Sequence, residues 1–114
     1  MSTSLDKVIN CEGMDRVFDS TGLTIDHVLQ AHERIKPYIH ETPILTSAYL
    51  NQLIGAELFF KCENFQKAGA FKARGACNAV FGLNGDDAIK GVATHSSGNH
   101  ALSLAYAAGR RGIP

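Results

Sequence analysis

The chain has 114 residues, the size of one small domain. Lys plus Arg number 11 and Asp plus Glu number 11, so the formal charge is zero, which argues against a nucleic-acid binder or a polybasic membrane anchor. Hydrophobic residues make up 45%, too many for a disordered chain, and no run approaches the ~20 apolar residues that span a bilayer.

The first residues, MSTSLDKVINCEGMDR, carry acids early and have no apolar stretch, so they do not read as a secretory signal. Residues 1–22 read as a poorly ordered lead-in. Thr24 is a candidate N-cap with Asp26 in the first turn, and Ile25, Val28, Leu29, His32 and Ile35 then fall at helical spacing. Pro37 ends or bends that helix near Lys36. His27, His32 and His40 lack a carboxylate or Cys partner at ligand spacing, so they read as surface or packing histidines rather than a metal site. Ser47 caps a short helix, Ala48 to Ile54, and Gly55 stops it.

Glu57 to Glu63 (ELFFKCE) reads as a strand, with Leu58, Phe60 and Cys62 on one face. Asn64 to Ala70 is a loop, and Phe71 to about Leu83 a helix. Asn84 to Asp87 reads as a turn, Val92 to His95 as a short strand, and Ser96 to Asn99 as a tight loop. His100 to about Arg111 is an Ala-rich helix, with Gly112 as its stop. Cys11, Cys62 and Cys77 are odd in number, widely spaced and without a CxxC, so they predict reduced thiols of a cytoplasmic protein. Cys62 and Cys77 are expected to pack as small hydrophobes.

Strand, helix, strand, helix from residue 57 is the order of an open α/β fold with a parallel sheet. Two short parallel strands cannot cover both faces of such a sheet, so these residues are expected to be the N-terminal part of something longer.

Two segments could carry chemistry. In QKAGAFKARGA, Lys72 stands at a loop-to-helix junction. The positive end of a helix disfavours an ammonium and favours the neutral amine that attacks aldehydes. Taken alone, Lys72 reads more readily as a solvated surface charge, as most lysines are. In THSSGNH, Ser96, Ser97, Asn99 and backbone N–H groups could hold a carboxylate beside His100, and Gly98 permits close approach. A capped turn explains the same residues, and on spacing alone the two readings stand level. The spacings GxxxxGK[ST] and GxSxG are absent, so neither a P-loop nor a hydrolase elbow is present.

FFKCENFQKAGAFKARGACNAV, followed by VATHSSGNHALSLAYAAGRRGIP and preceded by AHERIKPYIHETPILTS, resembles the pyridoxal-phosphate enzymes of the threonine dehydratase and serine racemase group. Its members share the tryptophan-synthase-β-like fold, fold type II. The motifs read most like the plant-type serine racemase branch. The resemblance runs from about residue 27 to 114 and makes residues 23–114 the N-terminal portion of the catalytic domain.

It implies that Lys72 forms the internal aldimine with pyridoxal 5′-phosphate and that Asn99 hydrogen-bonds the cofactor's 3′-oxygen. Ser96, Ser97, Asn99 and His100 would surround the substrate carboxylate, and Ser97 would face Lys72 across the substrate α-carbon. The implied activity is interconversion of L- and D-serine and dehydration of serine to pyruvate and ammonia. Dehydration of threonine or 3-hydroxyaspartate is the alternative within the fold. The Thr94-His95-Ser96-Ser97 form of the loop leans toward serine racemase, because threonine dehydratases more often read Ala-Ser-Ala-Gly-Asn-His. A reading of another class is a non-catalytic piece that pairs with a full-length subunit through its sheet edge.

Of the nucleotide-effector contacts of the animal racemases, Ser47 and Lys67 remain, whereas Ala48, Ala68 and Leu102 replace polar partners. Ala70 stands where many relatives have Ser or Thr. The phosphate-binding glycine loop and the ligands of a divalent cation (Mg2+ or Ca2+) would lie outside this chain, which itself supplies no metal ligands. The implied partners are an amino-acid substrate and, at full length, a second copy in a homodimer, with no nucleic acid or membrane.

Overall fold

A computed structural model describes residues 22–114. The lead-in expected over residues 1–22 lies, but for Gly22, outside the described residues, as does Cys11. The described residues fall into two units, 22–30 and 31–114.

The first helix, α1, spans Ile25–Ile35, with Asp26 in its first turn and His32 and Arg34 in its last. In the first unit, the Thr24 N–H donates to His27 Nδ1 at 3.1 Å and the Thr24 carbonyl accepts from the His27 N–H at 3.2 Å. Ile25, Val28 and Leu29, which fall at helical spacing, are exposed, and only Ile35 of that set is buried. The α-helix ends just before Lys36 and Pro37, as expected, and the chain bends into a tighter 3-10 turn, Lys36–Tyr38.

In the second unit, β1 (Ile44–Leu45) pairs antiparallel with β2 (Phe60–Lys61), Ile44 opposite Lys61 and Leu45 opposite Phe60. Between them lies α2, Ala48–Ile54. The Ser47 hydroxyl caps it by accepting from the Leu50 N–H, and Gly55 ends it with φ 73°. Two 3-10 turns, Glu63–Phe65 and Lys67–Gly69, lead into α3, Lys72–Gly82. A short α4, Gly85–Ala88, follows and is capped by Asn84, whose side chain accepts from the Asp87 N–H at 2.8 Å. What reads as a turn is thus one helical turn, whose start the Asn84 amide caps through the Asp87 N–H. The last helix, α5, spans Asn99–Arg111 and ends at Gly112 with φ 73°.

The core is the seam between α3 and α5. Ala73, Ala76, Cys77 and Val80 meet Ser103, Ala107 and Ala108, and Ile35 joins them. Small side chains let the two backbones approach closely, which is why Ala73, Cys77, Ser103 and Ala107 are fully buried. Tyr38 stacks on Phe81 at 3.7 Å between ring centroids, and the Tyr106 hydroxyl donates to the Tyr38 carbonyl at 2.5 Å. The Arg111 guanidinium donates to the Val80 and Leu83 carbonyls, closing the C-terminal end of α3. Cys77 is buried and Cys62 half-buried, both as free thiols.

The strands differ from expectation. Residues 57–63 form only the two-residue β2, and 92–95 form no ladder. Among the described residues the one sheet is the antiparallel β1–β2 pair. A strand is defined by its neighbour, and here Val92 finds one backbone partner, its N–H donating to the Pro114 carbonyl at 3.0 Å. Gly91 permits that approach. Its φ is 81°, and a Cβ there would stand 2.7 Å from the Pro114 carbonyl oxygen.

Candidate active site

The site is built from the start of α3. Lys72 is the first helical residue and is exposed. Phe71 precedes it in helical conformation and supplies no side-chain cap. The Lys72 Nζ sits 5.4 Å from the centroid of the Phe71 ring.

The loop that delivers this lysine is tied down from outside. Glu63 accepts two bonds from Arg74, from Nε at 2.8 Å and from the terminal nitrogen at 2.7 Å. The Thr42 hydroxyl donates to the same carboxylate at 2.5 Å. Lys61 Nζ donates to the Thr42 carbonyl at 2.7 Å. The Arg74 guanidinium, aided by Thr42, lowers the Glu63 carboxyl to about 2, against a partial opposing effect of burial. Glu63 in turn raises the Arg74 guanidinium.

Gln66 is 4% exposed and holds a second point. Its amide accepts from the His40 N–H and donates to the His40 carbonyl, both at 2.8 Å, and also accepts from the Lys67 N–H at 2.9 Å. Ala68 and Gly69 complete the bend with φ of 58° and 65°.

The second motif sits at the start of α5. Gly98 occupies the cap position, so no side chain caps this helix. Of the capped-turn reading, the local turn closed by Ser96 is present, without a side-chain cap on α5 itself. Ser97 and Asn99 do not serve the helix start. Ser96 is half-buried, and its hydroxyl accepts from the Gly98 N–H at 3.3 Å. Ser97, Asn99 and His100 are exposed. Both helix starts in question lack a side-chain cap, whereas α2 and α4 have one. At α5 the first N–H groups and partial positive charge stay available to an anion, whereas at α3 the Ala73 and Arg74 N–H groups already donate to the Ala70 and Phe71 carbonyls.

The two starts meet. α5 packs on α3 and on the Lys67–Gly69 turn. Phe71, Lys72, Arg74, Gly75, Ala76 and His100 line one cleft of about 360 Å3, within the size of small-ligand sites of about 300–1,000 Å3. A Cβ on Gly75 would meet nothing within 4 Å, so the cleft floor is open there. Lys72 and His100 thus share a cavity. Ser96, Ser97 and Asn99 belong to the same loop and helix start as His100 but do not line it. Ser47 caps α2, and Lys67 is half-buried in the turn before α3. A second hollow of about 290 Å3, between α5 and Val92, Thr94 and Pro114, holds no titratable group.

Sequence reasoning did not assign roles to Thr42, Glu63, Gln66 or Arg74. The signal was an acid closing one apolar run and a base in the first turn of the next helix. Among the described residues no group of three or more His, Cys, Asp or Glu is arranged to hold a metal ion. No described helix is long and apolar enough to cross a membrane.

The family described as pyridoxal-phosphate dependent enzymes matches residues 35–114. The chain belongs to that family. It is 70% identical over 91 residues to the beta-hydroxyaspartate dehydratase of Paracoccus denitrificans, covering 80% of this chain and 29% of that protein. It is 63% identical over 87 residues to the serine racemase of Arabidopsis thaliana, covering 76% and 26%. The solved structure of maize serine racemase superposes with a TM-score of 0.77 at 56% identity, covering 79% of this chain and 28% of that one. The chain thus spans less than a third of the curated relatives it matches. Its fold is the N-terminal part of a fold type II enzyme of the family, rich in helix with a small sheet.

The donor set fits the family's cofactor. A primary amine at one helix start faces a cleft of suitable size whose other wall is a second helix start. An aldehyde on an anionic aromatic ring is the chemical partner such a set prefers.

Proposed function

We propose that residues 23–114 are the N-terminal portion of the catalytic domain of a pyridoxal-phosphate enzyme that racemises serine and also removes ammonia from it. The observation that carries this is the cleft shared by Lys72 and His100 at the starts of α3 and α5. When bound, the cofactor supplies an electron-withdrawing ring that stabilises negative charge at the substrate α-carbon.

Lys72 holds the cofactor through its amine and moves a proton at the α-carbon from one face. The Ser97 hydroxyl serves the opposite face, so removal at one and return at the other inverts serine. Asn99 holds the ring's 3′-oxygen through its amide. Ser96, Ser97, Asn99 and His100, with the free N–H groups of α5, bind the substrate carboxylate. If the β-hydroxyl leaves instead, the products are pyruvate and ammonia.

On this reading the phosphate cradle and a divalent cation (Mg2+ or Ca2+) use residues outside this chain. Ser47 and Lys67 are the candidate nucleotide contacts. The working form is a cytoplasmic homodimer that binds a small amino acid rather than nucleic acid or membrane.

A second reading, dehydration of 3-hydroxyaspartate, is supported by the 70% identity to the Paracoccus enzyme. Product analysis of the full-length protein with L-serine, L-threonine and 3-hydroxyaspartate separates the two. D-serine and pyruvate from L-serine support the first reading. Turnover of hydroxyaspartate alone supports the second, and no turnover of any of the three supports a non-catalytic subunit.

A further inference from the structure

We propose that Glu63 is a positioning residue for Lys72, acting through Arg74 to fix the first turn of α3. The proposal rests on the reading of Lys72 as the cofactor lysine. The start of α3 needs an external hold. Phe71 gives no side-chain cap, and the first backbone bonds of the turn are Ala73 N–H to the Ala70 carbonyl at 3.3 Å and Arg74 N–H to the Phe71 carbonyl at 3.0 Å. An uncapped helix start frays unless something else anchors it.

Arg74, two residues after Lys72, provides that anchor. Its two bonds reach both oxygens of the Glu63 carboxylate, a bidentate pairing that fixes direction as well as distance. Glu63 is in turn fixed by Thr42, itself 4% exposed, and Lys61 holds the Thr42 carbonyl. Segments 40–42, 61–63, 66–67 and 74 thus form one bonded frame around the loop that ends at Lys72, and no bond of the frame uses the Lys72 amine. Arg74 also lines the cleft. With Glu63 on it, its charge is met inside the frame, leaving Lys72 as the nucleophile and His100 with the α5 start as the anion contact.

The test uses the full-length protein that carries this segment, with pyridoxal phosphate as the probe. Three readouts are taken: the rate at which the near-visible absorption band grows in, its pH midpoint, and the borohydride-fixed mass on the Lys72 peptide. A fourth, hydrogen exchange of the first turn of α3, is taken without cofactor. Glu63→Gln is expected to slow the band ~10-fold, shift its midpoint and speed exchange ~10-fold, with Glu63→Asp recovering part of the rate. A lower melting temperature with native rate, midpoint and exchange would overturn the proposal.

Should Glu63→Gln not fold, Thr42→Val, which removes one bond to Glu63, is expected to slow the band ~3-fold; an unchanged rate in that folded variant overturns the proposal as well. Lys72→Ala separates the two layers. If it keeps the band and the fixed mass, the lysine assignment fails. If it loses both while Glu63→Gln matches wild type, the positioning role alone fails.

Discussion

The lysine loop borders the cleft that His100 closes from the α5 side, and it and the serine-asparagine loop leading into α5 are built in opposite ways. Around residues 63–74, a bidentate ion pair, a buried glutamine and a buried threonine hold the backbone in place. Around residues 94–100, the only side-chain bond among the described residues is the Gly98 N–H on the Ser96 hydroxyl, and Ser97, Asn99 and His100 are exposed. The comparison teaches that one wall of the cleft is pre-formed and the other presents free groups. A nucleophile gains most from being held in one geometry. A carboxylate-binding loop keeps its donors free for its ligand.

The braced wall should break hardest. Arg74→Ala leaves the Glu63 charge without its partner in a place that is only one-fifth exposed at the side chain (19%), and is expected to cost about 3 kcal/mol in a denaturant titration. Loss below about 1 kcal/mol would mean that the frame is decorative.

Acid should act at the same place. The Glu63 carboxyl is held near 2, below its ordinary 4.5, so the folded state favours the charged form. The stabilisation is complete above pH 4.5 and is lost as pH falls from there through about 2. With solvent around the pair it amounts to something on the order of 2 kcal/mol. Glu63→Gln should flatten that part of the stability curve, and an unchanged acid limb would contradict the assignment.

The open wall is sharpened by smaller effects. Just before that wall, Gly91→Ala forces φ 81° on a residue with a Cβ and presses it on the Pro114 carbonyl, at an expected cost of about 1 kcal/mol or more in a denaturant titration. Ser96→Ala removes a single 3.3 Å bond and should change stability by no more than about 0.5 kcal/mol. A larger loss there would show that this loop, too, is braced.

These contrasts explain what the sequence makes legible. Helix ends are written locally, so the Ser47 cap, the Gly55 stop and the Gly112 stop can be read directly. Strands are not local. Residues 57–63 and 92–95 both read as strands, but a ladder needs a neighbour, and of the two only Phe60–Lys61 finds one. In the site, Lys72 and the Ser96–His100 loop stand out as motifs because their residue types are unusual in sequence. Thr42, Glu63, Gln66 and Arg74 are ordinary surface types whose role comes only from the fold, which pairs positions up to 26 residues apart. No periodicity reveals such a pairing.

The central claim is that the start of α3 and the start of α5 form one cofactor cleft. The most direct test is a crystal structure of the full-length protein grown with pyridoxal phosphate. The account predicts continuous density from the Lys72 amine to the cofactor, with the Asn99 amide within hydrogen-bond distance of the ring's 3′-oxygen. Cofactor bound elsewhere, or Lys72 and Asn99 on separate surfaces around it, would contradict the account.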